Sequence, residues 1–421
     1  LAPKIPASPA NELEVTPAVI ARITGTLFTT ESIFGAAFIA AVTLLSINAA
    51  DISGRDEFAG LPSTISLLGR ALIAVPIGWV VDRYGRRPGV ILGYLLGAIG
   101  LAVSAGAVGM RSFPLLLLGS ALGGAANGTS LQNRFTASEM YPADERARII
   151  GLIVFAGTIG AIGGPLLVAP MVALATAAGL EGNAGPYLFG SVLTAIAALI
   201  TFFFLRPDPG KISQQMERAE HGGVTPTGRT LHGVFADPAV QLAVASMVVG
   251  QLVMNLIMVI TPVHMHHINH TTTEIAIVFT AHTLGMFGFS AMTGWLAARF
   301  GSGRVVAAGA AMLIISSLLA PMAAGVPMLA LVLFLLGLGW NFCFVGGSAM
   351  LSAALRPGER GRAQGANEVL VALASGLGSL STGVIFAGGG MLGIGVVSLV
   401  MTLLFVAASL WLARGRMVPS L

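Results

Sequence analysis

The stretch "GWVVDRYGRRPGVIL" occupies residues 78–92. An apolar run ends on Gly-x-x-x-Asp-Arg-x-Gly-Arg-Arg, and another apolar run begins at once. A second stretch, "GWLAARFGSGRVVA", starts at Gly294, 216 residues later, with Ala298 standing where Asp82 stands in the first. Independently, "DERARIIG" around Glu145 recurs as "GERGRAQG" around Glu359, at an offset of 214. Two unrelated segments repeating at nearly one spacing point to an internally duplicated chain.

The chain has 421 residues, of which 55% are hydrophobic and 10% charged, and its mean hydropathy is +0.87. Soluble domains carry about 25% charged residues. Apolar runs long enough to cross a ~30 Å hydrocarbon core recur along the whole length. The expected class is an all-α membrane protein with twelve spans, at 22–49, 61–81, 88–109, 113–137, 148–178, 185–205, 237–262, 272–298, 304–323, 326–353, 364–388 and 391–413. A polar stretch at 206–236 divides the chain into an N-terminal bundle (1–205) and a C-terminal bundle (237–421). The 55 glycines suit close packing of membrane helices.

Lysine and arginine set the expected orientation. With both termini in the cytoplasm, nineteen of the 22 fall on that side, Arg55 and Arg111 fall outside, and Arg70 lies within the second span. The net charge of +4 therefore belongs to short loops facing the lipid bilayer, and nucleic acid is not an expected partner. The single cysteine, Cys343, excludes a disulfide within the chain and a cysteine metal site. Residues 1–20 are polar and Pro-rich without a signal-peptide pattern, so the first span is expected to act as its own address. A nucleophile–base pair, a phosphate loop and a catalytic carboxylate pair are all missing from the sequence, so no enzyme is expected.

Gly78, Asp82, Gly85, Arg86 and Arg87 make the loop resemble the signature of the major facilitator superfamily. The resemblance implies two pseudo-symmetric six-helix bundles that work by alternating access, as parallel repeats do in transporters. It also implies that Asp82, Arg83, Arg86 and Arg87 form a conformational gate, with Gly78 allowing two spans to cross closely. The segment "GTIGAIGGP" at 157–165 is similar to the span-five motif of antiporters, but Leu166, Leu167 and Val168 replace its later glycines. Where many proton-coupled members carry an arginine in span four, this chain has Gly119 and Ser120, and its Arg134 lies nearer the cytoplasmic end.

Met254 and Met258 share one face of span seven, and His282 and Met286 one face of span eight. At ~1.5 Å per residue, Met254 and His282 lie about 12 and 16 Å below the outer surface. Thioethers and imidazole suit Cu(I), while methionine also fills gaps in apolar cores. Four of the seven histidines lie between 264 and 270. His264, Met265, His266, His267 and His270 either collect metal at the outer mouth or cap the next helix. The Met-x-x-x-Met and His-x-x-x-Met spacing resembles the CcoA-like copper importers. That resemblance implies copper as the substrate, not a cofactor, carried by Met254, Met258, His282 and Met286 across a bacterial inner membrane by a monomer. Relatives with these motifs also include riboflavin importers, and Trp340, Phe342, Phe344, Phe287 and Phe289 are available to a flavin ring. An organic solute is therefore the alternative. Glu31 and Arg70 are expected to pair in the N-terminal bundle as a coupling site, with Asn127, Asn133, Asn341 and Glu368 as further buried polar groups.

Overall fold

Helix α1 (Pro17–Thr43) begins where Thr16 accepts the Val19 amide and Pro17 fixes the first turn. The computed structural model describes residues 16–55, 58, 60–142, 144–220, 229–270 and 272–415. After α1 come α2 (Leu45–Ser53), α3 (Leu61–Tyr84), α4 (Arg86–Gly109), α5 (Phe113–Ser130), α6 (Asn133–Ser138), α7 (Arg146–Ala177), α8 (Gly185–Phe204), α9 (Pro209–Glu220) and α10 (Leu231–Phe235). The remainder are α11 (Pro238–His267), α12 (Thr272–Thr283), α13 (Ser290–Phe300), α14 (Ser302–Leu319), α15 (Val326–Ala354) and α16 (Arg360–Gly415).

Among the described residues, nine helices are long and apolar enough to cross a membrane. Three local features reconcile this count with twelve spans. Helix α5 has 18 residues but spends many of them on Gly, Ser, Asn and Thr, which lowers its hydropathy. The eighth span is divided, because a π-helical turn at Leu284–Gly288 separates α12 from α13. Spans eleven and twelve run on as one 56-residue helix, α16, interrupted at Gly390, whose φ is +57°. The surface is apolar, as lipid requires: Leu72, Leu166, Leu380 and Val384 are each at least 71% exposed.

Two compact units are present. The first comprises residues up to Pro142, Ala156–Thr230 and Arg356–Ala372. Within it α3 and α4 both pack on α5, and α1 and α4 pack on α8. The α3–α5 contact depends on missing side chains: a methyl on Gly124 would run into Ser66 O, and one on Gly69 into Ala121 O. The second unit comprises Ala143–Phe155, Leu231–Leu355 and Leu373 onward. Its centre is α15, against which α11, α12 and α14 pack. Ala147, Ile150, Ala297, Val305, Leu338, Phe342 and Val345 form one of its buried apolar clusters.

Candidate functional site

The signature loop closes into a clamp inside the first unit. At the end of α3, Asp82 accepts the amides of Gly361 (2.9 Å) and Arg362 (3.1 Å) and stands 3.4 Å from the Arg362 Nε. A carboxylate placed on the first amides of α16 satisfies otherwise unpaired donors and complements the helix dipole. Gly78 lets α3 come this close, since a Cβ there would lie 2.5 Å from Gly361 O. Arg86 donates to both oxygens of Glu139 and, at 2.8 Å, to the Gln364 Oε1. Arg87 donates to Phe202 O (2.7 Å) and lies over the Phe202 ring. Arg83 takes no part in this network and lies over the exposed rings of Trp79 and Tyr84.

Burial alone would raise the Glu139 carboxyl, but the Arg86 and Arg360 guanidiniums and the Gln364 amide outweigh it and hold the group below the ordinary carboxylate range. Glu359 is also lowered: partial burial is outweighed by hydrogen bonds from Arg229 and from the Arg356 amide. A cavity of about 270 Å³ opens at this end, lined among others by Asp82, Arg86, Glu139, Asp208, Lys211 and Arg360.

Deeper in the first unit the expected Glu31–Arg70 pair is replaced by other partners. Arg70 pairs with Glu368 at 3.2 Å, and the other oxygen of Glu368 receives Arg134 at 2.6 Å. Two guanidiniums from α3 and α6 thus share one carboxylate of α16. Glu31 instead accepts Ser130 Oγ (2.6 and 2.7 Å) and Asn133 Nδ2 (2.8 Å), both neutral. The physical reason is competition. Glu368 is fully buried and gains two cations, whereas Glu31 is only half-buried and finds hydroxyl and amide donors within reach. Arg134, which by sequence sat too near the helix end for a central role, is buried in this cluster.

In the second unit the soft residues are placed as follows. Met254 and His282 are buried, and Met258 and Met286 are half-buried. The Nδ1 of His282 bonds with Leu333 O of α15 at 2.9 Å, and its Nε2 is buried without a hydrogen-bond partner among the described residues. Helix α11 with Met254 and Met258, helix α12 with His282 and the π-helical turn with Met286 each pack on α15. At the far end of α11, Met265 is fully buried and the half-buried His264 ring stands edge-on to Phe386. His270 bonds with Ala324 O and lies 3.4 Å from Glu274. The side chains of His266 and His267 lie outside the described residues. Among the described residues no group of three or more His, Cys, Asp or Glu is arranged to hold a metal ion.

Aromatic and amide side chains also meet in this unit. Trp340 stacks on Phe344, with centroids 4.6 Å apart and planes at 14°, and Phe287 meets Trp340 edge-on at 5.9 Å. The Trp340 Nε1 donates to the Gln251 Oε1 at 3.0 Å. Asn255 Nδ2 donates to Ser375 Oγ at 2.6 Å and to Ser375 O at 2.8 Å. Phe289 lies apart from this cluster, edge-on to Phe334. Gln251 and Asn255 are not among the polar groups expected from the sequence, although their four-residue spacing on an apolar helix is a visible sign.

Known proteins agree with this architecture. The family model described as Major Facilitator Superfamily matches residues 26–265 and 242–420. The chain is 33% identical over 394 residues to the uncharacterized MFS-type transporter YdeG of Bacillus subtilis, covering 91% of this chain and 90% of that protein. It is 30% identical over 322 residues to the riboflavin transporter RfnT of Brucella anthropi, covering 76% and 78%. The solved structure of the proton:xylose symporter XylE superimposes with a TM-score of 0.74 at 16% identity, covering 96% of each chain. With the duplicated loop, the helical membrane fold and these matches together, the chain belongs to the major facilitator superfamily, as a secondary transporter and not an enzyme.

Proposed function

We propose that this transporter imports a planar organic solute, riboflavin first, across a bacterial cytoplasmic membrane by alternating access. The observation that carries this reading is the Trp340–Phe344–Phe287 cluster with the Gln251 amide bonded to it. Stacked indole and phenyl faces suit a fused heteroaromatic ring, and neighbouring amides suit its polar edge. The similarity to a riboflavin transporter supports the same substrate class. The termini are assigned to the cytoplasm from the distribution of arginine and lysine. The two six-helix halves, 1–205 and 237–421, are assigned to move about the 206–236 linker. Glu31, held by neutral donors, is assigned as the carboxylate that exchanges a coupling ion, and Arg70 to the charge lock on Glu368.

A second reading, copper import, keeps one observation of its own: the unpartnered Nε2 of His282 beside a sequence rich in thioethers. The test is uptake of radioactive riboflavin and radioactive copper, side by side, in cells with and without the protein. Riboflavin uptake is expected. It should fall about tenfold in Trp340→Ala, as losing about 1–3 kcal/mol of stacking implies, with the amount of protein in the membrane unchanged. Copper uptake that disappears in His282→Ala, with no riboflavin uptake, would reverse the assignment.

A further inference from the structure

We propose that Asp208, close to the start of the linker, is a positioning residue of the signature-loop gate and makes α9 a strut within it. Its carboxylate accepts three backbone amides at once. One oxygen takes Gly210 N at 2.7 Å and Arg86 N at 3.2 Å, and the other takes Arg87 N at 2.8 Å. One side chain therefore caps two helices, α4 and α9, at their N-termini. The donors on α4 are the amides of the two arginines that do the work of the gate. Fixing them aims Arg86 at Glu139 and Gln364, and Arg87 at Phe202.

The same anchor sets α9 in place, and α9 then reaches the gate helix. Arg360 Nη1, in the first turn of α16, donates to the buried Ser213 Oγ of α9 at 2.7 Å. Through Asp208 and Ser213, α9 thus links α4 to α16. Asp208 also gives Gly85 its second reason to be glycine. Besides a φ of +99°, a Cβ there would lie 2.6 Å from the Asp208 Oδ2. In the repeat, Gly301 has a similar φ of +92° but nothing within 4 Å of such a Cβ. The carboxylate, and not the turn alone, distinguishes the first loop.

The inference rests on the reading of this end as a cytoplasmic gate, and the experiment separates the two. Cys343 is replaced by alanine, and Ala363, fully buried on the gate helix, becomes the reporter as Ala363→Cys. Maleimide labelling is followed in inside-out vesicles. Asp82→Ala serves as the gate control. Ala49→Cys, fully buried in α2, serves as the unfolding control. Asp208→Ala should raise labelling at position 363 about tenfold while position 49 stays protected. Asp208→Asn should give a smaller rise, because it keeps one acceptor oxygen and loses the charge. If Asp82→Ala raises labelling and both Asp208 variants do not, the strut is refuted. If labelling rises at both positions, Asp208 is merely structural and the proposal fails. If Asp82→Ala itself changes nothing, the gate reading falls and the proposal with it. Should Asp208→Ala fail to insert, Asp208→Asn decides alone.

Discussion

Gly78 and Gly294 hold matching places in the two units, and around them the chain solves one packing problem twice. A Cβ on Gly78 would lie 2.5 Å from Gly361 O, and a Cβ on Gly294 would lie 2.5 Å from Ala147 O. Gly361 and Ala147 are themselves related by the 214-residue offset. The close helix crossing has therefore been kept in both copies. The charge has not. Asp82 in the first copy is Ala298 in the second, and Arg86 is matched by Ser302. The neighbouring residue has changed in step. A Cβ on Gly361 would collide with the Asp82 Oδ1 and lie 2.6 Å from Gly78 O, so glycine is needed there. With Ala298 in place of the acid, position 147 accommodates the methyl of alanine. The first crossing is held by a carboxylate on two amides, and the second has alanine where that carboxylate stands.

The contrast is broken most severely at Glu139. Glu139→Ala leaves the Arg86 guanidinium buried without its carboxylate, a change that costs about 3–5 kcal/mol. Ser302→Ala, at the place in the second unit that matches Arg86, should stay within about 0.5 kcal/mol. Thermal unfolding of the two purified variants measures both. The same acid gives a pH signature. The Glu139 and Glu359 carboxyls are lower in the folded protein than their ordinary value of about 4.3. Their stabilisation is thus complete above that value and is lost as pH falls through the lower, folded values. The thermal midpoint should hold steady down to about pH 5 and then decline, with a shallower decline in Glu139→Gln. A decline of equal steepness in that variant would remove Glu139 from the acid response.

Next in size is Gly361→Ala. Its methyl enters the space of the Asp82 carboxylate, and overpacking of this kind costs about 1–3 kcal/mol. Asp82→Ala alone gives up two amide acceptors at the start of α16, a loss of about 0.5–2 kcal/mol. The two costs should add only in part, because removing the acid relieves the methyl of the carboxylate but leaves Gly78 O 2.6 Å from the same Cβ. A double variant whose destabilisation equals the sum of the single ones would show that the correlated changes at 82 and 361 are coincidental.

The frame of this protein was legible in its sequence for a simple reason. Hydropathy and arginine distribution are local properties, and a duplicated loop needs only its own residues to be recognised. The site was less legible, because its partners come from far along the chain. Arg70 finds Glu368, 298 positions away, and not Glu31 one span before it. Arg86 finds its amide acceptor, Asp208, 122 positions away in a stretch that composition marks only as a linker. Span eight shows a second limit. Nothing in its apolar composition announces the π-helical turn at Leu284–Gly288 beside His282. The aromatic residues at 287, 340 and 344 looked scattered in one dimension and meet only when α15 is set against the π turn.

The gentlest test runs the comparison backwards and builds a clamp where the chain has none. By the repeat offsets, position 298 stands to 147 as 82 stands to 361, so Ala298→Asp alone is expected to set a carboxylate against the methyl of Ala147, just as Gly361→Ala would set a methyl against Asp82. It should destabilise the second unit through steric conflict. Combined with Ala147→Gly, the new acid gains the room that Asp82 enjoys and can accept the amides of positions 147 and 148, which correspond to Gly361 and Arg362 at the 214-residue offset. The net gain is about 0.5–1 kcal/mol, since a helix cap is partly offset by the entropic cost of the added glycine. The double variant should therefore be more stable than Ala298→Asp and at least as stable as the parent. On the proposed gate reading, it should also exchange more slowly between states, because the signature end of the second unit then also has a charge to release. Cysteine accessibility at that end, followed over time, reads the exchange. Ala298→Asp remaining as unstable with Ala147→Gly as without it would mean that the second crossing differs from the first in more than these two side chains.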